Sequence, residues 1–265
     1  MGRGSSGRIS AARITEPVPR VVAEPDERDA RGFSATDTAD FHELYNGREY
    51  YDRQKLTEAE RRAAANYIES ETESGSLYSH SQNLNWLMMQ NAEKGLPITT
   101  GMTAKQLETY NGMMSAMHNL GYNVNLTRYD HETFVNDLLA KAGVRGADYT
   151  RLTESELRGA LIGRRYGEER LITTSYNNFR NAPDKTKDVF MNRAVRIEYR
   201  ARAGTQAMMP GNGPGGKVGE VVMAPSGGRE NFRVVDVRYD RTVRVRKKGT
   251  RGLSTQRQLV VVVEV

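Results

Sequence analysis

GGKVGEVVMAPSGG, residues 215–228, places an acid directly before an apolar run. The run Val221-Val222-Met223 predicts a buried strand with glycine-rich turns on both sides, and Glu220 opens it. An ionised carboxylate beside apolar packing is costly unless it is paired or used in chemistry. Glu220 is therefore a candidate functional residue, and the alternative interpretation is an ordinary exposed acid at a strand end.

The elements around this stretch predict an α+β domain. After RLITTSYNN the pattern is dominated by strands, AVRIEYRAR, EVVMAP, ENFRVVDVRYD, TVRVRKK and QLVVVVEV, joined by short connections that favour antiparallel pairing. Before it the pattern is mainly helical. LTEAERRAAANYIESET carries Thr57 and Glu60 at capping-box spacing, LYSHSQNLNWLMMQNAEKG predicts a helix ending at Gly95, and TAKQLETYNGMMSAMHNLG predicts one ending at Gly121.

Composition excludes several classes of chemistry. The 265 residues contain no cysteine, which excludes disulfides and a thiol nucleophile, and the four histidines show no metal-ligand spacing. We therefore expect no metal. No apolar stretch is long enough for a membrane span or a signal peptide, so we expect a cytoplasmic protein in the producing cell. Residues 1–38 predict a disordered extension and residues 39–265 a single domain.

Positive charge is concentrated near the C-terminus. Residues 193–265 hold 15 Lys and Arg against 6 Asp and Glu, although the whole chain carries only +6. This basic C-terminal face could meet an acidic partner. The alternative is the solvated outer face of a hairpin whose inner face is formed by Val243, Val245 and the final valine run.

Three features on predicted strands follow one another along the chain: Arg128 in NLTRYD, then the hydroxyl run Thr173-Thr174-Ser175, and then Glu220. In this order the chain resembles the bacterial mono-ADP-ribosyltransferase exoenzymes, which include Rho-modifying and actin-modifying toxins. Leu84-Asn85 on a predicted helix and FMNR ending at Arg193 extend the resemblance, which covers about residues 55 to 240. Each motif is weak alone, but their order and spacing are fairly specific.

The resemblance implies a fold, a substrate and a set of roles. The implied fold packs N-terminal helices on two antiparallel β-sheets that flank an NAD cleft. NAD would be the substrate, and Glu220 would stabilise an oxocarbenium-like transition state and hold the ribose 2′-hydroxyl, because the leaving nicotinamide is already cationic and needs no acid. Thr173 and Arg128 complete the implied catalytic set. The implied NAD-binding residues are Arg128, Arg193, Phe190, Asn85, Thr174 and Ser175.

An ordinary structural interpretation remains open for these residues. Arg128 could simply pair with Asp130, two positions along the same strand face, and the hydroxyl run could be ordinary strand sequence, since Thr favours strands. Phe190 could belong to the core, and Asn85 could be a polar position on a helix surface.

The implied acceptor site departs from the family pattern at one position. Many relatives carry Glu or Gln two positions before the catalytic Glu, but this chain has Val218, which cannot accept a proton. The implied partner is a protein acceptor touched by the loop Gly204–Gly219, whose glycines permit unusual backbone angles. Two alternatives stay open: an NAD glycohydrolase, and a non-catalytic binding or virion-associated module on the same scaffold. Delivery into a target cell or carriage in a virus particle is equally open.

Overall fold

The computed structural model of the protein describes residues 55–68, 79–121, 123–144, 146, 148–176, 191–210, 219–246 and 253–265. All of them belong to one compact unit. The predicted extension at residues 1–38 lies outside the described residues. Among those described, no helix combines the length and the apolarity needed to cross a membrane.

The structure describes five α-helices. They are α1 (Glu58–Ile68), α2 (His80–Glu93), α3 (Ala104–Ala116), α4 (Glu132–Lys141) and α5 (Glu154–Leu161), with a single 3₁₀ turn at Tyr149–Arg151. Helices α1 and α3 begin where the sequence predicts. The capping box before α1 is confirmed: the Thr57 backbone N–H donates to Glu60 Oε2 at 2.8 Å, and the Glu60 N–H donates to Thr57 Oγ1 at 3.3 Å.

Helix α3 ends earlier than its sequence pattern predicts. Its last residue is Ala116, and Met117 is extended, so Gly121 does not terminate it. The two residues His118 and Asn119 instead form a short strand that pairs with Ala207 and Gln206. Tertiary pairing therefore overrides the local helical pattern here, because the backbone groups of these residues find partners in the sheet.

Nine strands within the described residues form one mixed sheet. They are β1 (His118–Asn119), β2 (Val124–Asp130), β3 (Arg165–Tyr166), β4 (Ile172–Ser175), β5 (Val195–Ala201), β6 (Gln206–Met208), β7 (Glu220–Met223), β8 (Phe232–Arg246) and β9 (Leu253–Glu264). Their order across the sheet is β1-β6-β7-β4-β2-β5-β9-β8-β3. Neighbours run antiparallel except for β5 and β9, which are parallel. That pair departs from the antiparallel pattern that short connections favour.

A narrow junction divides this sheet into two parts. Between β4 and β2 the register contains one pair, Thr127 with Ser175, whereas β2 pairs with β5 along its whole length. The group β1-β6-β7-β4 is therefore joined to the group containing β2 and β5 by that one register pair. Where the resemblance implies two antiparallel sheets, the described strands form one mixed sheet with this narrow junction, which lies among the strands that carry Arg128, Thr173 and Glu220.

Two apolar clusters cover opposite faces of β7. Val221 and Met223 pack in the cluster that includes α4 and α5, while Val222 packs with α1, α2 and α3. All three side chains are buried. A strand covered on both faces reads as a continuous apolar run rather than an alternating one. This explains the pattern after Glu220.

Candidate functional site

Glu220 stands in a row of side chains that crosses the junction between the two sheet groups. Its register partner on β4 is Ser175, and the register partner of Ser175 on β2 is Thr127. Residues directly opposite each other on antiparallel strands share a face of the sheet. Thr173, two residues before Ser175, lies on that face as well. The sheet thus aligns one acid with three hydroxyl side chains.

The Glu220 carboxylate is partly buried, and no described residue supplies a counter-charge to it. Among the described residues it has neither a hydrogen-bond donor nor an ion-pair partner, and burial raises its pKa from 4.5 to about 7. A raised carboxyl pKa caused by desolvation alone marks a group whose charge is not yet compensated. The site can therefore stabilise a positive charge that develops beside this oxygen.

Thr173 is held by a hydrogen-bonded bridge to the helical layer. Its hydroxyl and that of Tyr67 on α1 are 2.9 Å apart, and the Asn85 amide on α2 donates to the same Tyr67 oxygen at 3.0 Å. The Leu171 N–H in turn donates to Asn85 Oδ1 at 3.0 Å. Asn85 therefore fixes the start of β4 against the helices, which is a structural use of both ends of its amide.

The other two hydroxyls of the run are deeply buried. The Thr174 hydroxyl donates to the Val221 carbonyl at 2.7 Å and is 1% exposed, and it lies on the face of β4 opposite to Thr173. Ser175 is fully buried. Both residues stabilise the pairing of β4 with β7 next to Glu220, the first residue of β7.

Arg128 reaches the junction from β2. Its Nε donates to Asp130 Oδ2 at 2.9 Å, and its Nη1 donates to the Thr173 carbonyl at 3.2 Å. The charges of Glu220 and Arg128 both act on the buried Tyr67 hydroxyl. Burial is the largest effect and raises the Tyr67 pKa, while the hydrogen bonds with Thr173 and Asn85 lower it. The charge of Glu220 raises this pKa further, and the charge of Arg128 lowers it. The three predicted catalytic residues thus lie on three neighbouring strands, although no hydrogen bond or ion pair among the described residues joins Glu220 to the other two.

Arg193 lies just before β5. The start of β5 pairs with the end of β2, where Asp130 lies. Asp130 and Val195 are register partners, and burial chiefly lowers the pKa of Arg193, with Asp130 opposing this and Arg128 adding to it. The segment is fixed through its backbone, because the Gln258 amide donates to the Arg193 carbonyl at 2.7 Å. Arg193 and Arg128 therefore bring two cations into electrostatic range of each other.

Several predicted features lie outside the described residues. They include Phe190, Val218 and residues 211–218 of the loop Gly204–Gly219. Of the basic C-terminal face, the described part forms the β8–β9 pair, in which Val243 and Val245 are buried and Arg244 is exposed. This is the arrangement predicted for a solvated hairpin.

Sequence patterns missed Tyr67 and Arg170, and they offered Asp130 only as an ordinary partner of Arg128. Tyr67 links Thr173 to Asn85, Asp130 holds Arg128, and Arg170 donates to the same Asp130 oxygen at 3.3 Å. A signal existed only for Asp130, which is two residues from Arg128 on one strand. Tyr67 and Arg170 acquire their partners from elements distant in the chain.

A cavity of about 440 Å³ adjoins the site behind Asp130. Asp130, Glu168 and Arg170 contribute to its wall, together with apolar side chains such as Phe134 of α4. Glu220, Thr173 and Arg128 do not line it. The cavity is therefore separate from the row that contains the candidate acid.

Comparison with known proteins identifies the fold. No protein-family profile and no curated protein sequence matches the chain. Solved structures do match. An ADP-ribosyltransferase from Clostridium botulinum is 15% identical with a TM-score of 0.51, over 86% of this chain and 94% of that one. An ADP-ribosyltransferase toxin from Paenibacillus larvae is 17% identical with a TM-score of 0.51, over 86% and 96%.

A third match comes from a longer protein. The ADP-ribosylating component of a binary enterotoxin of C. perfringens, determined with NADH, is 12% identical with a TM-score of 0.50, over 86% of this chain and 47% of that one. At such identities the likeness concerns the fold. The chain has the fold of bacterial ADP-ribosyltransferase toxins, as the order of its motifs predicted.

Proposed function

We propose that this chain, which has the ADP-ribosyltransferase toxin fold, transfers ADP-ribose from NAD to a protein acceptor. The observation that carries the proposal is the Glu220 carboxylate: it is partly buried, has a pKa raised to about 7, and lacks a cationic partner among the described residues. A structural carboxylate in such a place would be expected to have a partner. A catalytic one gains its counter-charge from the reaction.

The reaction breaks the bond between ribose C1′ and the nicotinamide nitrogen. The bonding electrons leave with nicotinamide, which becomes neutral, and positive charge develops on C1′ and the ring oxygen. The Glu220 carboxylate accepts a hydrogen bond from the ribose 2′-hydroxyl and stabilises this charge. An acceptor nucleophile then bonds to C1′ and loses its proton. No general acid is required for the leaving group.

The remaining residues bind and orient the dinucleotide. Arg128 and Arg193 supply cations for the pyrophosphate, for which the planar guanidinium fork is well suited. Thr173 supports the cleft next to Glu220 through its bond to Tyr67. Because Thr174 and Ser175 are buried, their role is to hold β4 against β7. Phe190 stacking on nicotinamide stays a prediction from the resemblance.

One assay tests the proposal and separates it from its alternatives. The protein is incubated with NAD labelled in the adenylate part and a cell lysate, and both nicotinamide release and labelled protein bands are measured. A transferase gives both signals. An NAD glycohydrolase gives nicotinamide without bands, and a binding module gives neither.

A pair of variants ties the activity to the named carboxylate. Glu220→Gln should lower nicotinamide release at least about 100-fold, which is the scale seen when a group that stabilises transition-state charge is removed. Glu230→Gln, at an exposed acid beyond β7, is the matched control and should keep wild-type activity. Full activity in Glu220→Gln would refute the role assigned to this residue.

A further inference from the structure

Asp130 holds two arginines with one carboxyl group. Its Oδ2 accepts from Arg128 Nε at 2.9 Å and from Arg170 Nη2 at 3.3 Å, while its Oδ1 accepts from the His131 N–H at 2.8 Å. The side chain of Asp130 is 11% exposed, and those of Arg128 and Arg170 are 18% and 17% exposed. Ion pairs shielded to this degree from water keep a defined geometry better than surface pairs.

A second layer fixes Arg170 in its turn. Its Nε donates to Glu168 Oε2 at 2.7 Å, and the buried Tyr199 hydroxyl donates to Glu168 Oε1 at 3.1 Å. Burial alone would raise the pKa of Asp130, but Arg128 and Arg170 hold it well below its usual range. The carboxylate thus remains ionised. The chain of contacts runs from β2 through the segment before β4 to β5.

This arrangement leaves part of the Arg128 guanidinium available. Of its five N–H groups, one donates to Asp130 and one to the Thr173 carbonyl. The other three have no acceptor within the described residues. A guanidinium held at Nε and at one Nη1 hydrogen is fixed in its plane, and the N–H groups that no described residue engages can bind two oxygens of a phosphate.

A further arginine lies close to this pair of ion pairs. Asp130 and Glu168 offset Arg128 and Arg170, and Arg193 acts electrostatically on Asp130 and Arg128. Because Arg128 is already held in place, binding costs less conformational entropy.

We propose that Asp130, supported by Arg170 and Glu168, is a positioning residue that presents Arg128 to the pyrophosphate of NAD. The inference rests on the proposed function and deepens it, because it assigns the orientation of the phosphate-binding arginine to a carboxylate outside the catalytic set. Asp130 acts through Arg128 and does not touch the reacting atoms.

The competing interpretation is an ion pair that only stabilises the fold. The two interpretations differ in what they predict for NAD. A positioning residue changes the KM for NAD and leaves kcat nearly unchanged, since it affects binding before the bond breaks. An ion pair that only stabilises the fold changes the midpoint of unfolding and leaves both constants alone.

The test is a double-mutant cycle read by nicotinamide release, which needs no acceptor. We expect Asp130→Asn to raise the KM for NAD about tenfold with kcat within about twofold, as expected when a charge-assisted contact is misplaced. In the Arg128→Ala background the same change should have no further effect on KM. Independent, multiplicative effects in the double variant would overturn the inference.

A matched control is provided by Glu198 on β5. Its carboxylate also pairs with two arginines, Arg196 at 2.9 Å and Arg238 at 2.7 Å, but neither belongs to the proposed NAD site. Glu198→Gln should leave the KM for NAD at the wild-type value. A rise equal to that of Asp130→Asn would show that loss of any carboxylate held by two arginines suffices, and it would overturn the inference.

Two further readouts keep the outcomes distinct. If Asp130→Asn does not fold, Asp130→Glu retains both ion pairs but shifts the carboxylate outward, and a wild-type KM in that variant overturns the inference. If the wild-type protein releases no nicotinamide, or Glu220→Gln releases it at full rate, the proposed function itself fails. If the wild type is active, Glu220→Gln is inactive and Asp130→Asn keeps the wild-type KM for NAD, only the positioning role of Asp130 is refuted.

Discussion

Replacing Glu220 by glutamine should make the protein more stable at neutral and alkaline pH. Burial raises the Glu220 pKa from 4.5 to about 7, a difference of about 2.5, and the part of the chain that the structure describes supplies no cationic partner. A difference of one in pKa corresponds to about 1.36 kcal/mol of differential interaction. The ionised carboxylate therefore costs the folded state about 3 kcal/mol, and Glu220→Gln removes that cost while keeping the shape of the side chain.

The sign follows from the protons bound in each state. Below pH 4.5 Glu220 is protonated in the folded and the unfolded protein, so it adds no pH dependence there. Between pH 4.5 and 7 the unfolded state releases the proton while the folded state retains it, and stability falls as the pH rises. Above pH 7 the penalty is complete. The advantage of Glu220→Gln over wild type should thus grow by about 2.5 kcal/mol from about pH 5 to about pH 8.

Urea unfolding at a series of pH values measures this difference directly. With an m-value of about 2–3 kcal/mol/M, the gain corresponds to a midpoint shift of about 1 M relative to wild type at about pH 8. Glu230→Gln provides the exposed comparison and should track wild type at every pH. A Glu220→Gln advantage that stays constant across this pH range would refute the argument that this carboxylate is desolvated and unpaired.

The same titration of Glu220 predicts that nicotinamide release by wild type rises with pH, with a midpoint of about 7 for kcat/KM.

The remaining predictions concern packing around the site. Gly112→Ala should lower the free energy of unfolding by about 1–3 kcal/mol, because a Cβ there would overlap the Cβ of Ala63 where α3 crosses α1. Gly159→Ala on α5, where the new methyl meets open space, should raise it by up to about 1 kcal/mol, and equal effects from the two glycines would contradict this account. Asn85→Ala should cost about 1–3 kcal/mol, measured by urea unfolding, since it removes the donor to Tyr67 and leaves the Leu171 N–H without its acceptor. An unchanged midpoint in Asn85→Ala would show that water replaces the amide.

Helix starts and element types were accessible from sequence because they depend on neighbours in the chain. The Thr57–Glu60 capping box forms as predicted. The end of α3 was predicted wrongly, since His118 and Asn119 pair with β6, a strand far along the chain. Helical pattern alone contains no information about that partner.

The linear order of residues predicts the α+β class, the acid that precedes an apolar strand, and the succession of arginine, hydroxyls and acid along the chain. Tertiary structure alone decided that Val221 and Val222 are covered from opposite sides and that Ser175 stands between Glu220 and Thr127. It also decided that the Glu220 carboxylate loses water without gaining a counter-charge among the described residues, and that Asp130 holds Arg128 and Arg170 together. The physical reason is that desolvation and ion pairing depend on distances in space, and the groups involved come from strands and helices far apart in sequence.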